Sequence, residues 1–141
     1  KAVLAQLSKD GFDTSGVTLL DSSGLAKGNK VPARLLAQIL SRAAGGEGGS
    51  AGRTLIADLP VAALDGTLGN RLHDTSAAGT VRAKTGSLEQ TSSLAGVVTT
   101  ADGRQLAFAV MANGFPANGG GAAAAAIDNH FVAPLASCGC S

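Results

Sequence analysis

The sequence predicts an α/β (α+β) fold: an antiparallel sheet with packed helices. Three observations predict it. Residues 80–88, 92–100 and 104–112 are strand-like runs with short connections, and short loops force antiparallel pairing. Pro32 opens an amphipathic stretch. An alanine run at 122–126 follows the third strand-like run, and alanine is the best helix former.

In chain order, residues 2–9 read as the end of a helix that Gly11 stops. Val17-Thr18-Leu19-Leu20 reads as a short buried strand, closed by the turn-prone Asp21-Ser22-Ser23-Gly24. Proline suits the first helical position, so a helix is expected from Pro32. Leu35, Leu36, Ile39, Leu40 and Ala43 share one face of it, and Gly45-Gly46 ends it. Residues 45–52 are expected as a glycine-rich surface loop. Residues 53–64 are expected to be partly helical up to Pro60, and 67–73 to form a further short helix. Gly79 breaks the chain before the sheet. The three runs form a meander, with Asp102-Gly103 as a two-residue hairpin signal. The alanine run continues into Ile127, Phe131 and Val132, and Pro134 is expected to end that helix. Packed on one sheet face, it gives a two-layer arrangement.

The chain has 141 residues, the length of one domain, so residues 1–141 are taken as part of a single domain. Eleven basic residues are interspersed with ten acidic ones, a net charge of +1. Nucleic-acid binders carry a clustered basic face and stacking aromatics, so no nucleic-acid partner is expected. No apolar run approaches the ~20 residues of a membrane span. The chain begins at Lys1, as a processed product or a piece of a longer protein would. Cys138 and Cys140 are the only cysteines. A bridge between them would be strained; a tail pair, a bridge to another segment and free thiols all stay open. Two cysteines at one terminus suggest an oxidising compartment. No His/Cys cluster has zinc spacing, and no metal or other cofactor is expected.

The chemistry lies in Val81-Arg82-Ala83-Lys84-Thr85-Gly86-Ser87-Leu88. Side chains alternate along a strand, so Lys84 and Gly86 share one face, Thr85 and Ser87 the other. Glycine lets a ligand backbone come close. The Ser87 N–H can donate to a developing oxyanion. The Thr85 hydroxyl can hold a carboxylate, and Lys84 supplies positive field. As a three-residue string, Lys-Thr-Gly also fits an ordinary edge strand with a solvated lysine. His73 reads as a surface or helix-end histidine.

Three blocks set this string in context. They are Leu20-Asp21-Ser22-Ser23-Gly24-Leu25-Ala26, with Asn29; Leu59-Pro60-Val61-Ala62-Ala63-Leu64-Asp65-Gly66-Thr67-Leu68, with Arg71; and Gly79–Leu88, running on through Ser93-Leu94-Ala95-Gly96 and Asp102-Gly103-Arg104. In this order, over most of residues 16–114, the chain resembles the penicillin-binding protein 4 type of D-alanyl-D-alanine carboxypeptidase/endopeptidase, a penicillin-recognising serine enzyme. The resemblance implies the C-terminal part of a penicillin-binding/β-lactamase-like transpeptidase domain. It implies a bacterial, extracytoplasmic enzyme of the periplasm or cell envelope, acting on peptidoglycan D-Ala-D-Ala peptides and acylated by β-lactams. By the same resemblance, Lys84 would be the catalytic residue of the family's third motif, and Lys84, Thr85, Gly86 and Ser87 would bind substrate. The family often has threonine where Ser87 stands, which a backbone role tolerates.

The family's first two motifs are absent. Ser-x-x-Lys fails because Gln6, Gly24, Lys27 and Val81 stand three residues before Lys9, Lys27, Lys30 and Lys84. Ser-x-Asn fails because Lys27, Leu68, Met111, Pro116 and Ile127 stand two before Asn29, Asn70, Asn113, Asn118 and Asn129. In the family both lie upstream of the Asp21–Ala26 block, so the nucleophile is expected in a missing N-terminal segment of the same protein. Without it there is no acyl-enzyme route, and the isolated chain is expected to be inactive. The alternative is a non-catalytic piece, either a cell-wall-binding or scaffold fragment or a degenerate homologue. A class A β-lactamase piece shares the Lys-Thr-Gly logic but not the Asp21–Ala26 block.

Overall fold

The computed structural model describes residues 1–139. Helix α1 spans Ala2–Lys9. Gly11 ends it at φ 78°, with the Gly11 N–H on Ser8 O and the Phe12 N–H on Leu7 O. That pair of bonds satisfies carbonyls the helix leaves open. No residue of α1 is buried. Its exit is held by Arg42, whose guanidinium lies 4.2 Å from the Phe12 ring centroid and donates to Asp10 O.

Residues 17–20 depart from the expected buried strand. Thr18 forms one isolated antiparallel bridge to Lys30, and Leu20 is 66% exposed. The polar loop Asp21–Asn29 takes over here. Asp21 accepts from the Ser23 hydroxyl (2.5 Å), the Asn29 amide (2.6 Å) and the Gly24 and Ala26 N–H groups. Asn29 in turn accepts from the Leu20 N–H. Such side-chain bonds compete with a ladder.

Helix α2 spans Ala33–Ala44, with Pro32 as its cap in extended conformation. The apolar stripe faces inward: Leu35, Leu40 and Ala43 are buried. Helix α3 spans Gly49–Ala57 and takes in part of the expected surface loop. The glycines there serve helix packing. A Cβ on Gly52 would sit 3.1 Å from Ala43 Cα, so the two helices approach at bare backbone. The expected helix at 67–73 shrinks to one 3-10 turn, Gly66–Leu68. Leu72 and Asp74 have positive φ, which an α-helix excludes.

The sheet has the order β1-β2-β3, all antiparallel: β1 Val81–Leu88, β2 Thr91–Thr99 and β3 Gln105–Asn113. Glu89 and Gln90 alone join β1 to β2. The second connection is longer than a two-residue hairpin. The Gly103 N–H bonds to Thr100 O, Gly103 takes φ 81°, and the Thr100 N–H closes on Arg104 O. This is a turn followed by a left-handed glycine.

After the sheet come α4, Gly120–Ile127, then a π-helical turn, Asp128–Val132, and α5, Ala133–Ser137. Pro134 therefore does not end the helical run. It sits in the first turn of α5, directly after the widened π turn, where its missing N–H is tolerated. Cys138 follows α5 and is not free; Cys140, and with it the question of a tail pair, lies outside the described residues.

The expected two layers are three. α4 and α5 cover one sheet face; α2 packs on β2 and β3 from the other, with α3 against α2. Both faces need cover because β2 buries neighbours on opposite sides, Val97 and Val98. The main core joins Val81, Ala83, Leu94, Val98 and Phe108 to Leu68, Ile127, Val132 and Ala136. Leu68 and Leu94 are completely buried, each contributing about 1.5–3 kcal/mol. No described helix is long and apolar enough to cross a membrane.

Candidate active site

β1 is an edge strand with only half its edge covered. Pro60 O accepts from the Ala83 N–H, and the Ala62 N–H donates to Val81 O, both at 2.9 Å. The covering segment is locally built. Asp65 Oδ1 accepts from the Val61 N–H at 2.6 Å, and Ala63 is held at φ 63° with its N–H on Leu68 O and Arg71 O. Backbone groups of an antiparallel strand alternate in direction. Val81 and Ala83 point theirs at the covering segment, so Thr85 and Ser87 point theirs the same way, past its end.

The four predicted residues are consecutive on this strand but face two clefts. Lys84 and Gly86 line one of about 330 Å³, with Leu36, Ile39, Leu55 and Leu59 as its apolar wall. Thr85 and Ser87 line a second, of about 590 Å³, which runs between the sheet and the start of α4. Thr85 borders both. The Lys84 ammonium is exposed and donates to its neighbour's carbonyl, Thr85 O, at 2.8 Å. Gly86 pairs with Ser93, whose hydroxyl fills the space where a Cβ would stand.

Three residues in the second cleft or behind it were given no role by the sequence reading. Arg71 donates from Nε to Asp128 Oδ2 (2.8 Å), and from Nη2 to Asp128 Oδ1 (2.6 Å) and Ala124 O (3.4 Å). Ser92, the cross-strand partner of Ser87, is only 3% exposed. Arg71 lies in a motif block, but nothing in the sequence pairs it with an aspartate 57 positions away. Ser92 becomes readable only once the register is known.

The Asp21–Asn29 loop is tied to this end of the sheet by Lys27 Nζ and Glu89 Oε2, 2.6 Å apart. Hydrogen bonding to Glu89 raises the Lys27 pKa, and hydrogen bonding to Lys27 lowers that of Glu89. Both side chains are largely exposed, so the pair contributes little to stability. The Ser23 hydroxyl, then the Asn29 amide, hold Asp21 below the usual carboxylate range. His73 Nε2 lies 2.7 Å from Gly69 O, a local contact at the surface. Among the described residues no three His, Cys, Asp or Glu side chains gather for a metal.

The D-Ala-D-Ala carboxypeptidase 3 (S13) family matches residues 1–134. The chain belongs to that family. Carboxypeptidase DacB of Mycolicibacterium smegmatis is 48% identical over 99% of this chain and 30% of its own length. D-alanyl-D-alanine carboxypeptidase of Actinomadura sp. is 43% identical over 77% of this chain and 20% of its own. Penicillin binding protein 4 of Haemophilus influenzae, solved in complex with a novel β-lactam, superposes with a TM-score of 0.74 at 34% identity. That match covers 81% of this chain and 26% of that one. The chain thus spans less than a third of the curated relatives it matches.

Proposed function

We propose that residues 1–141 form the C-terminal part of one domain of a serine-type D-Ala-D-Ala carboxypeptidase/endopeptidase. The whole protein acts on peptidoglycan stem peptides outside the cytoplasm, in the bacterial cell envelope, and is acylated by β-lactams. The observation that carries this reading is the uncovered half-edge of β1, where the backbone groups of Thr85 and Ser87 turn outward beside the Lys84 ammonium. A peptide adding to that edge gains main-chain hydrogen bonds, and side chains on either face set its specificity.

The nucleophile lies in polypeptide outside these residues. A serine oxygen there attacks the penultimate D-Ala carbonyl, the ester bond forms, and the terminal D-Ala leaves with a proton on its nitrogen. Water then cleaves the ester and restores the serine. This chain supplies the Ser87 N–H to the oxyanion, the Thr85 hydroxyl to the terminal carboxylate and the Lys84 charge to the wall of the site. The apolar wall of Leu36, Ile39, Leu55 and Leu59 below Lys84 gives the nucleophile-bearing part a surface to seat on.

The test is Lys84→Ala in the full-length protein, read by labelling with a fluorescent penicillin. The acylation rate is expected to fall by roughly 10²-fold, the scale of removing one charge-stabilising group from a site. Unchanged labelling would refute the role of this strand.

A further inference from the structure

We propose that Arg71 and Ser92, neither of them on the Lys-Thr-Gly strand, complete a carboxylate-recognising subsite in the cleft under the start of α4. The inference rests on the enzyme reading above and assigns two further residues to its specificity.

The cleft has donors for an anion, and no carboxylate on its lining. Its lining includes Arg71, Thr85, Ser87, Ser92, Gly120 and Gly121, and contains no Asp or Glu. Arg71 spends Nε and Nη2 on Asp128 and Ala124 O. Its Nη1 has no partner among the described residues. The bidentate grip of Asp128 fixes the plane of the guanidinium, so the Nη1 amino group that remains is already oriented. Because Asp128 neutralises the charge, recognition here works through directed hydrogen bonds more than through bulk field.

Helix α4 adds partial positive charge. It has no side-chain cap and no acidic residue in its first turn. The N–H groups of Gly120 and Gly121 precede the first helical bond, from Ala123 to Gly119 O, and both residues border the cleft. Such uncapped donors favour an anion.

Ser92 is the independent pointer to a ligand. Its side chain is buried to 3% exposure, lines the cleft, and has no side-chain hydrogen bond among the described residues. The hydroxyl is not sealed in the core, since the buried side-chain polar atom left unpaired among the described residues is Gln38 Oε1; it is open to the cleft alone, where a carboxylate oxygen can take its proton. The carboxylate of the departing residue fits, since Thr85 and Ser87 border the same space.

The experiment uses the full-length protein. It compares kcat/KM for a peptide ending in D-Ala-D-Ala with that for the same peptide as its C-terminal amide. Ser92→Ala and Arg71→Lys are each expected to lower the preference for the free acid by roughly tenfold, the scale of one hydrogen bond to a charged group. The loss should fall on KM for the acid, with a smaller effect on the amide. Preference unchanged in both variants, or acid and amide falling together, would overturn the subsite. Penicillin labelling of the wild type separates the two readings. Labelling with unchanged preference in the variants overturns the subsite alone; absence of labelling overturns the enzyme reading and the subsite with it.

Discussion

Gly86 and Ser93 face each other across β1 and β2, and the Ser93 hydroxyl occupies the position a Gly86 side chain would need. The next nearest atom, Ser93 Cβ, would be 3.7 Å away, an ordinary contact. Only one rotatable hydroxyl therefore opposes a methyl group here. Gly86→Ala is expected to keep the fold, with a loss of about 1 kcal/mol for the displaced rotamer. Penicillin acylation of the full-length protein should fall all the same, because the methyl enters the cleft shared with Lys84. Thermal unfolding and labelling, measured together, check both halves; a large drop in melting temperature would contradict the first.

Gly96 is the opposite case. A Cβ there would meet Arg82 O and lie 2.5 Å from Ala83 Cβ and 2.6 Å from Ala83 Cα. Backbone cannot rotate away as a hydroxyl can. Gly96→Ala is expected to destabilise the fold by roughly 3 kcal/mol or more, the upper range for overpacking. Denaturant unfolding of the full-length protein reads it, and a near-wild-type midpoint would show that β1 can shift.

The contrast between these two glycines marks what the sequence makes legible. The three strands are readable because alternation and turn residues are local, and the Lys84–Ser87 segment lies on β1 as expected. The second sheet face is harder to foresee. Its cover comes from α2, more than thirty residues before the sheet, and no local pattern reports which face a distant helix chooses. Residues 45–52 look like a loop because glycine is a poor helix former, yet tight packing on Ala43 favours glycine at Gly52. Pro134 reads as a stop because proline breaks regular α-helix, and the π turn before it escapes that rule. In the site, the Thr85 and Ser87 directions follow from alternation, while Arg71, Asp128 and Ser92 converge only in three dimensions.

The Arg71–Asp128 pair is mostly removed from solvent, with side chains 20% and 11% exposed. Removing one partner of such a pair strands the other charge. Asp128→Ala is expected to destabilise the protein by about 3–5 kcal/mol. A double substitution, Arg71→Leu with Asp128→Ala, should recover part of that loss. Equal instability of single and double variants, by chemical denaturation, would show that packing and not charge dominates.

Asp21 organises its loop as a carboxylate. Its pKa is lowered first by the Ser23 hydroxyl and then by the Asn29 amide. A group with a depressed folded pKa stabilises the fold above its unfolded pKa, and that contribution is lost as pH falls through the folded value. The loop is therefore expected to stay closed from neutral pH down to about 4, the ordinary aspartate range, and to open below it. Amide exchange at Gly24 and Ala26, whose N–H groups bond to Asp21, reports the opening. In Asp21→Asn the same amides should lose this acid dependence.

The cover on β1 ends at the Pro60–Ala83 bond, and this limits the size of any visitor. Beyond it lie two outward rungs, those of Thr85 and Ser87, before the chain turns at Glu89, and the Lys84 ammonium already sits on the Thr85 carbonyl. A guest strand has only a few residues of track, bounded on one side by a proline that has no proton to offer. On the proposed reading the fold would work as a ruler, with room for a short stub of peptide and no continuous grip for a long one.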